Sequence, residues 1–289
     1  MPQSDNLRGA LFMSLSMMGY TLNDALLKLI SDELPLMQII FLRGVLVTTA
    51  ALILVRLNGH ASYRPTRRDG RLILARSVFE LAGAISFLTA VFNMPIANAN
   101  AILQSLPFVV TLGAALVFGE RVSKRQYVAI LIGFLGVLII VRPGSEGFTV
   151  FSLSAFVGVL CITARDLCTR RLSPDAPGMA VVAVTAVLVT MGAGAASLVV
   201  GWEPIRPLHA VFLMGSASFL IVGLLYSVSA MRVGEIGFVQ PFRYTLMLWA
   251  ILAGYVLFDE MPDLAMMVGV LIVVATGLYM LRNERQARQ

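Results

Sequence analysis

Five basic side chains, Lys28, Arg43, Arg76, Arg165 and Arg243, and three acidic ones, Asp24, Glu80 and Asp166, lie within or at the ends of long apolar stretches. A charge at the centre of a bilayer costs at least about 2.5–3.5 kcal/mol, so such residues are retained for pairing, for water access or for function. Arg43 sits about a third of the way into its stretch. Its guanidinium fork suits a carboxylate, a phosphate or a ring carbonyl, and the competing reading is a structural pair with Glu80. Arg243 lies in "QPFRYT". Pro241 there removes a backbone donor and frees a carbonyl, and Gln240, Arg243 and Tyr244 offer donors on neighbouring turns. The competing reading is that the proline only shapes the helix.

The remaining charges invite two readings each. Glu80 follows Arg76 by four residues. It is either a partner of Arg76 or Arg43, or a protonatable carboxylate whose pKa burial would raise into a useful range. Asp24 precedes Lys28 by four, the favourable order for a helical pair, while Asp166 adjoins Arg165. These groups either solvate the ends of their helices or form matched gates. The segment "NANAILQS" contributes Asn98, Asn100, Gln104 and Ser105, whose polar groups bind a ligand or bond neighbouring helices. Tyr20, Phe79, Phe87, Phe242 and Trp249 could stack on a ring or simply pack. His60 and His209 make no metal cluster in the sequence. No phosphate-cradling glycine loop with Lys-Ser/Thr occurs, and no Ser/His/Asp arrangement is suggested. No cofactor is implied, and the pattern is not that of an enzyme. Cys161 and Cys168, seven apart on one helix, are too distant to bridge.

The elements that position these residues are long helices. Hydrophobic residues make up 58% of the 289-residue chain and charged residues 13%, against roughly 25% charged in soluble domains. Mean hydropathy is +0.85. A span needs about 20 apolar residues, and ten runs qualify: 9–30, 36–55, 72–93, 97–118, 123–141, 149–169, 178–200, 208–230, 236–257 and 261–281. The expected fold is an all-α integral membrane protein. With the N-terminus cytoplasmic, the inner links collect Arg56, Arg64, Arg67, Arg68, Arg71, Arg121, Lys124, Arg125, Arg170 and Arg171. The outer links hold only Arg142 and Arg206. That bias places both termini in the cytoplasm. It also explains the net charge of +6 without nucleic acid as a partner.

The chain repeats itself. Shifted by 142, "TLNDALLKLISDELP" (21–35) lies over "TARDLCTRRLSPDAP" (163–177), matching Thr21 with Thr163, Asp24 with Asp166, Lys28 with Arg170 and Pro35 with Pro177. "RGVLVTT" (43–49) lies over "TAVLVTM" (185–191) at the same shift, and "VFGE" (117–120) over "LFDE" (257–260) at a shift of 140. Two units follow, residues 1–147 and 148–289. Each holds five helices, and an odd number inserts the second unit upside down. Inverted repeats of this kind form sites near the bilayer midplane between the halves.

The segments "GERVSKRQYVAILIGFLGVLIIV", "FDEMPDLAMMVGVLIVVATG" and "SLPFVVTLGAALVFGE" resemble the drug/metabolite transporter superfamily, in its EamA type. The second half departs from the pattern, with Met247 where a proline like Pro107 would fall. The resemblance implies a cavity enclosed by the first four spans of each half, with the fifth and tenth spans as scaffold. It implies a secondary active transporter of the cell inner membrane, moving a small polar or amphipathic metabolite by alternating access. Riboflavin-like, adenosyl-like and amino-acid-like cargo stay open, as do a homodimer, efflux of amino acids or toxic compounds, and a channel. On this reading Arg43, Asn100, Gln104, Gln240, Arg243 and Tyr244 bind substrate, and Asp24, Lys28, Glu80 and Asp166 couple or gate.

Overall fold

Proline and small polar residues punctuate the chain into helices. Pro35, Pro95 and Pro177 each stand immediately before a helix, and Pro207 opens another, where a missing N–H costs nothing. Thr66 caps a further one by accepting from the Asp69 N–H at 3.1 Å, as an N-cap hydroxyl should. The computed structural model describes residues 3–59, 63–120, 122–141 and 150–288. His60, Arg121, Arg142 and the expected boundary at 147/148 lie outside the described residues.

Among the described residues there is no strand, and the ten expected helices are present. They are α1 (Gln3–Lys28), α2 (Leu36–Leu57), α3 (Arg67–Asn93), α4 (Ile96–Phe118), α5 (Lys124–Val141), α6 (Val150–Arg170), α7 (Gly178–Val200), α8 (Pro207–Val233), α9 (Gln240–Phe258, entered through a turn at Ile236–Val239) and α10 (Leu264–Arg288). Eight of them, α2 to α9, are long and apolar enough to cross a membrane. At 1.5 Å per residue, the shortest of these, with 18 residues, reaches about 27 Å, close to the hydrocarbon thickness. The helix α1 carries Asp5, Arg8, Asp24 and Lys28, and the apolar part of α10 is the shorter Leu264–Met280. Both α1 and α3 begin earlier than their apolar runs, because polar residues continue a helix past the bilayer boundary that hydropathy reads.

The outer surface keeps its large apolar side chains exposed, Leu116, Val199, Leu248 and Leu264 among them. In water this would be an aggregation liability; facing lipid it is the expected exterior. Between helices, small residues permit close approach, as is usual in membranes. A Cβ on Gly19 of α1 would lie 2.8 Å from the Phe219 carbonyl oxygen of α8, so that crossing admits only glycine.

The packing maps onto itself when the halves are exchanged. The α1–α8 contact becomes α6–α3, and the pairs α2–α7, α4–α9 and α5–α10 become themselves. One hydrogen bond marks the axis. Thr48 Oγ1 of α2 and Thr190 Oγ1 of α7 are 2.9 Å apart and separated by 142 residues, the repeat interval. A bond between equivalent residues can exist only where a twofold axis passes between them. Leaving one hydroxyl unpaired costs more than removing both. Thr48→Val is therefore expected to lower stability by about 1 kcal/mol, and Thr48→Val with Thr190→Val to recover most of that loss. Thermal unfolding of the three variants in detergent measures this.

Candidate functional site

The charged residues meet where α1, α2, α3, α6 and α8 face each other. Asn23 of α1, 3% exposed, is the hub. Its Nδ2 donates to Asp24 Oδ1 at 2.8 Å, and its Oδ1 accepts from Ser216 Oγ of α8 at 2.7 Å and from Arg43 Nη1 of α2 at 3.3 Å. Asp24 also acts electrostatically on Arg43. Arg43 thus sits with Asn23 and Asp24; Glu80 also acts on it electrostatically, while the Glu80 carboxylate bonds elsewhere. Arg165 Nη1 of α6 donates to both Glu80 carboxylate oxygens at 3.2 Å, and Arg165 Nε reaches Asp166 Oδ1 at 2.9 Å. Arg76 lies 4.0 Å from Glu80 and donates to Thr169 and Thr185. The Arg165, Glu80 and Asp166 side chains remain 25%, 32% and 38% exposed, so this cluster is only partly enclosed by protein.

Arg243 differs from all of these. It is exposed, and among the described residues no carboxylate lies within 4.0 Å of it. Tyr20 of α1 is within electrostatic reach of both Arg243 and Arg165. Four arginines against Asp24, Glu80 and Asp166 leave one net positive charge at the centre, and Arg243 is the arginine without a partner.

Two helices are broken at matching points. The first part of α4, Ile96–Leu103, ends at Gln104, and a second, Leu106–Phe118, follows. Pro107 supplies no N–H to the Leu103 carbonyl, and the chain tightens through Gln104 and Ser105. In α9 a 3₁₀ turn over Gln240–Tyr244 contains Pro241 and hands over to Thr245–Phe258. Shifted by 140, Gln104 falls on Tyr244 and Ser105 on Thr245. Paired interruptions of this kind point to binding sites in repeat-built transporters. Asn100 bonds back to the Ile96 carbonyl at 2.9 Å. Its Oδ1 is buried without a partner, as are Gln104 Nε2 and, on α6 packed beside α4, Ser152 Oγ and Thr163 Oγ1. Gln240 is half-buried. Tyr244 goes elsewhere: its ring and hydroxyl occupy the space beside Gly277 of α10, away from the Arg43 group.

Lys28 does not pair with Asp24. Its Nζ donates to Glu260 Oε1 at 2.6 Å and to the Met94 carbonyl at 2.7 Å, and stands 4.9 Å from the Phe258 ring centroid. Glu260 Oε2 accepts from the Ile96 N–H at 2.8 Å. Glu260 was not among the site residues expected from sequence, although the repeated "VFGE" and "LFDE" were its signal.

Residues 7–142 match the EamA-like transporter family. A riboflavin transporter of Rhizobium johnstonii is 29% identical over 217 residues, 73% of this chain and 70% of that protein. An S-adenosylmethionine uptake transporter of Rickettsia bellii is 21% identical over 274 residues, 94% of this chain and 93% of its own. A pseudopaline exporter of Pseudomonas aeruginosa is 27% identical over 272 residues, 92% and 94% respectively. The first half of this chain is thus similar to EamA-like transporters, and nearly its whole length is similar to named metabolite transporters. A solved crystal structure shares the fold with a TM-score of 0.64 at 14% identity, covering 98% of this chain and 99% of the other.

The Arg165–Glu80 pair ties α6 to α3. Removing one partner of a poorly solvated pair strands a charge, whereas removing both does not. Because the pair is partly exposed, a coupling of about 1–2 kcal/mol is expected between Arg165→Met and Glu80→Gln. A double-mutant cycle on thermal unfolding reads it.

Proposed function

We propose that this protein is a secondary active transporter, carrying a small polar or amphipathic metabolite across the cell inner membrane by alternating access. Membrane transport in general is supported by the match of residues 7–142 to EamA-like transporters and by the transporters the chain is similar to. The finer reading rests chiefly on Arg243, an exposed guanidinium without a carboxylate, beside a broken helix in a cluster of net positive charge. A bidentate donor in that state suits a carboxylate, a phosphate or a ring carbonyl of the cargo. Arg43, Asn100, Gln104 and Gln240 are assigned to the same cavity, the amides through their unsatisfied or free polar groups. Tyr244 shapes the break from behind. Riboflavin-like, adenosyl-like and amino-acid-like compounds form the test panel, since relatives are named for riboflavin, S-adenosylmethionine and pseudopaline.

Glu80 and Asp24, each held beside an arginine, are assigned to coupling, and Asp166 and Lys28 to the opposite ends of the pathway. Residues 1–147 and 148–289 act as the two inverted units, with both termini cytoplasmic, as the arginine bias of the links supports. An open channel is disfavoured because Lys28 and Glu260 lock one end of the bundle.

The experiment is counterflow into proteoliposomes preloaded with riboflavin, S-adenosylmethionine or glutamate. Saturable exchange of one of them is expected. Arg243→Ala should raise the half-saturating concentration at least tenfold, equivalent to about 1.4 kcal/mol of lost binding, with unchanged melting temperature. Unsaturable flux would sink the carrier reading. A variant that transports like the parent would remove Arg243 from the site. Glu80→Gln is expected to abolish the dependence of uptake on a proton gradient. A thermal-shift screen over the same compounds provides an independent reading of ligand choice.

A further inference from the structure

The lock at Lys28 has a counterpart that is assembled but not engaged. At the other face of the bundle, Arg170 Nη2 of α6 donates to Glu120 Oε1, after α4, at 2.6 Å, and Arg170 stands 5.1 Å from the Phe118 ring centroid. Arg170 is the repeat equivalent of Lys28 at a shift of 142. Glu120 and Phe118 are the equivalents of Glu260 and Phe258 at a shift of 140. The backbone before each acid is also the same: Gly119 (φ 69°) and Asp259 (φ 55°) both take the left-handed conformation that ends α4 and α9. Asp259 is the only residue other than glycine with positive φ among the described residues.

The two clusters differ in what they hold. Lys28 and Glu260, 10% and 18% exposed, clasp the Met94 carbonyl and the Ile96 N–H at the start of α4. Arg170 and Glu120, 50% and 47% exposed, clasp only each other among the described residues. At a shift of 140, Met94 and Ile96 fall on Gly234 and Ile236, at the entrance to α9.

Two departures from the repeat compensate each other. Leu29 is replaced by Arg171, and Pro95 by Glu235. Arg171 faces the Val117 carbonyl at 3.5 Å and the Phe118 ring at 5.4 Å. With Arg67, Arg68 and Arg71 it lines an open cavity of about 550 Å³, and among the described residues it has no carboxylate within 4.0 Å. Glu235 is exposed; its N–H donates to Asn6 Oδ1 at 2.9 Å and its carbonyl accepts from Phe238 and Val239, while its carboxylate has no ion-pair partner among the described residues.

We propose that Glu120 and Arg170 form the second gate, which closes by docking on the backbone of Gly234 and Ile236 while Arg171 pairs with Glu235. The two docks are mutually exclusive, and this structure is the state with the Lys28 dock closed. The proposal rests on the alternating-access reading and assigns the residues that carry out its second half-cycle.

The test uses the full chain in proteoliposomes. Cys161 and Cys168 are first replaced (C161S/C168S), and cysteines are then placed at the two new positions (R171C/E235C). Oxidative cross-linking then reads closure of this face, since a disulfide needs Cα atoms within about 7 Å. Glu260→Gln, which loosens Lys28, is expected to raise the cross-linked fraction at least threefold. Adding Glu120→Gln to that variant should bring it back down at least threefold. Where a glutamine variant fails to fold, Glu120→Asp and Glu260→Asp, one methylene shorter, should move the yield in the same directions. Equal cross-linking in every background overturns the proposal. Counterflow on the same preparations separates the two readings. Exchange with unresponsive cross-linking refutes the gate and leaves the carrier. Responsive cross-linking without exchange supports the gate as a switch and counts against the carrier.

Discussion

A charge in hydrocarbon must find a partner or water, and the whole arrangement of this protein obeys that constraint. Asp24, Glu80 and Asp166 are each beside an arginine or an amide that bonds to one. Each set links different helices, so satisfying the charges also fixes which helices are neighbours. Asn23 joins α1, α2 and α8, and Glu80 joins α3 and α6. The interior is thereby organised around polar contacts, while the apolar residues do the packing between helices and face lipid. Arg243 stands outside this scheme, and the absence of an ion-pair partner among the described residues is what draws the functional reading to it.

Much of the fold was legible in the sequence. The ten apolar runs became ten helices, because length and hydropathy alone decide whether a segment can satisfy its backbone inside a bilayer. The repeat was legible too, in the polar residues of 21–35 and 163–177, which stand out against an apolar background. The break in α4 was not. The run 97–118 is long enough and apolar enough on average to read as one span, although it carries Asn98, Asn100, Gln104 and Ser105, and Pro107 leaves the Leu103 carbonyl without its donor.

The candidate site was legible as residue types and not as pairs. A local rule pairs Asp24 with Lys28, yet Lys28 spans 232 residues to Glu260, because α1 and α9 end together at one face. Of the two readings of Arg43, the pair with Glu80 survives only as electrostatic reach, because Arg165 makes the hydrogen bonds to that carboxylate. Asn23 goes unremarked in the sequence: a single amide beside an aspartate carries no pattern, and its role exists only once α1 packs on α8 and Arg43 reaches across from α2. Tyr244 was grouped with Arg243 by proximity in sequence, whereas the tight turn aims the two side chains at different neighbours.

Thr48 and Thr190 have a consequence of their own. A point on a rotation axis stays put when the parts around it trade places. Their hydroxyls, 2.9 Å apart, can each give or take the proton, so exchanging the roles of donor and acceptor costs nothing in geometry. The contact therefore favours neither helix: it reverses by the turn of two O–H bonds and is the same seen from α2 or from α7.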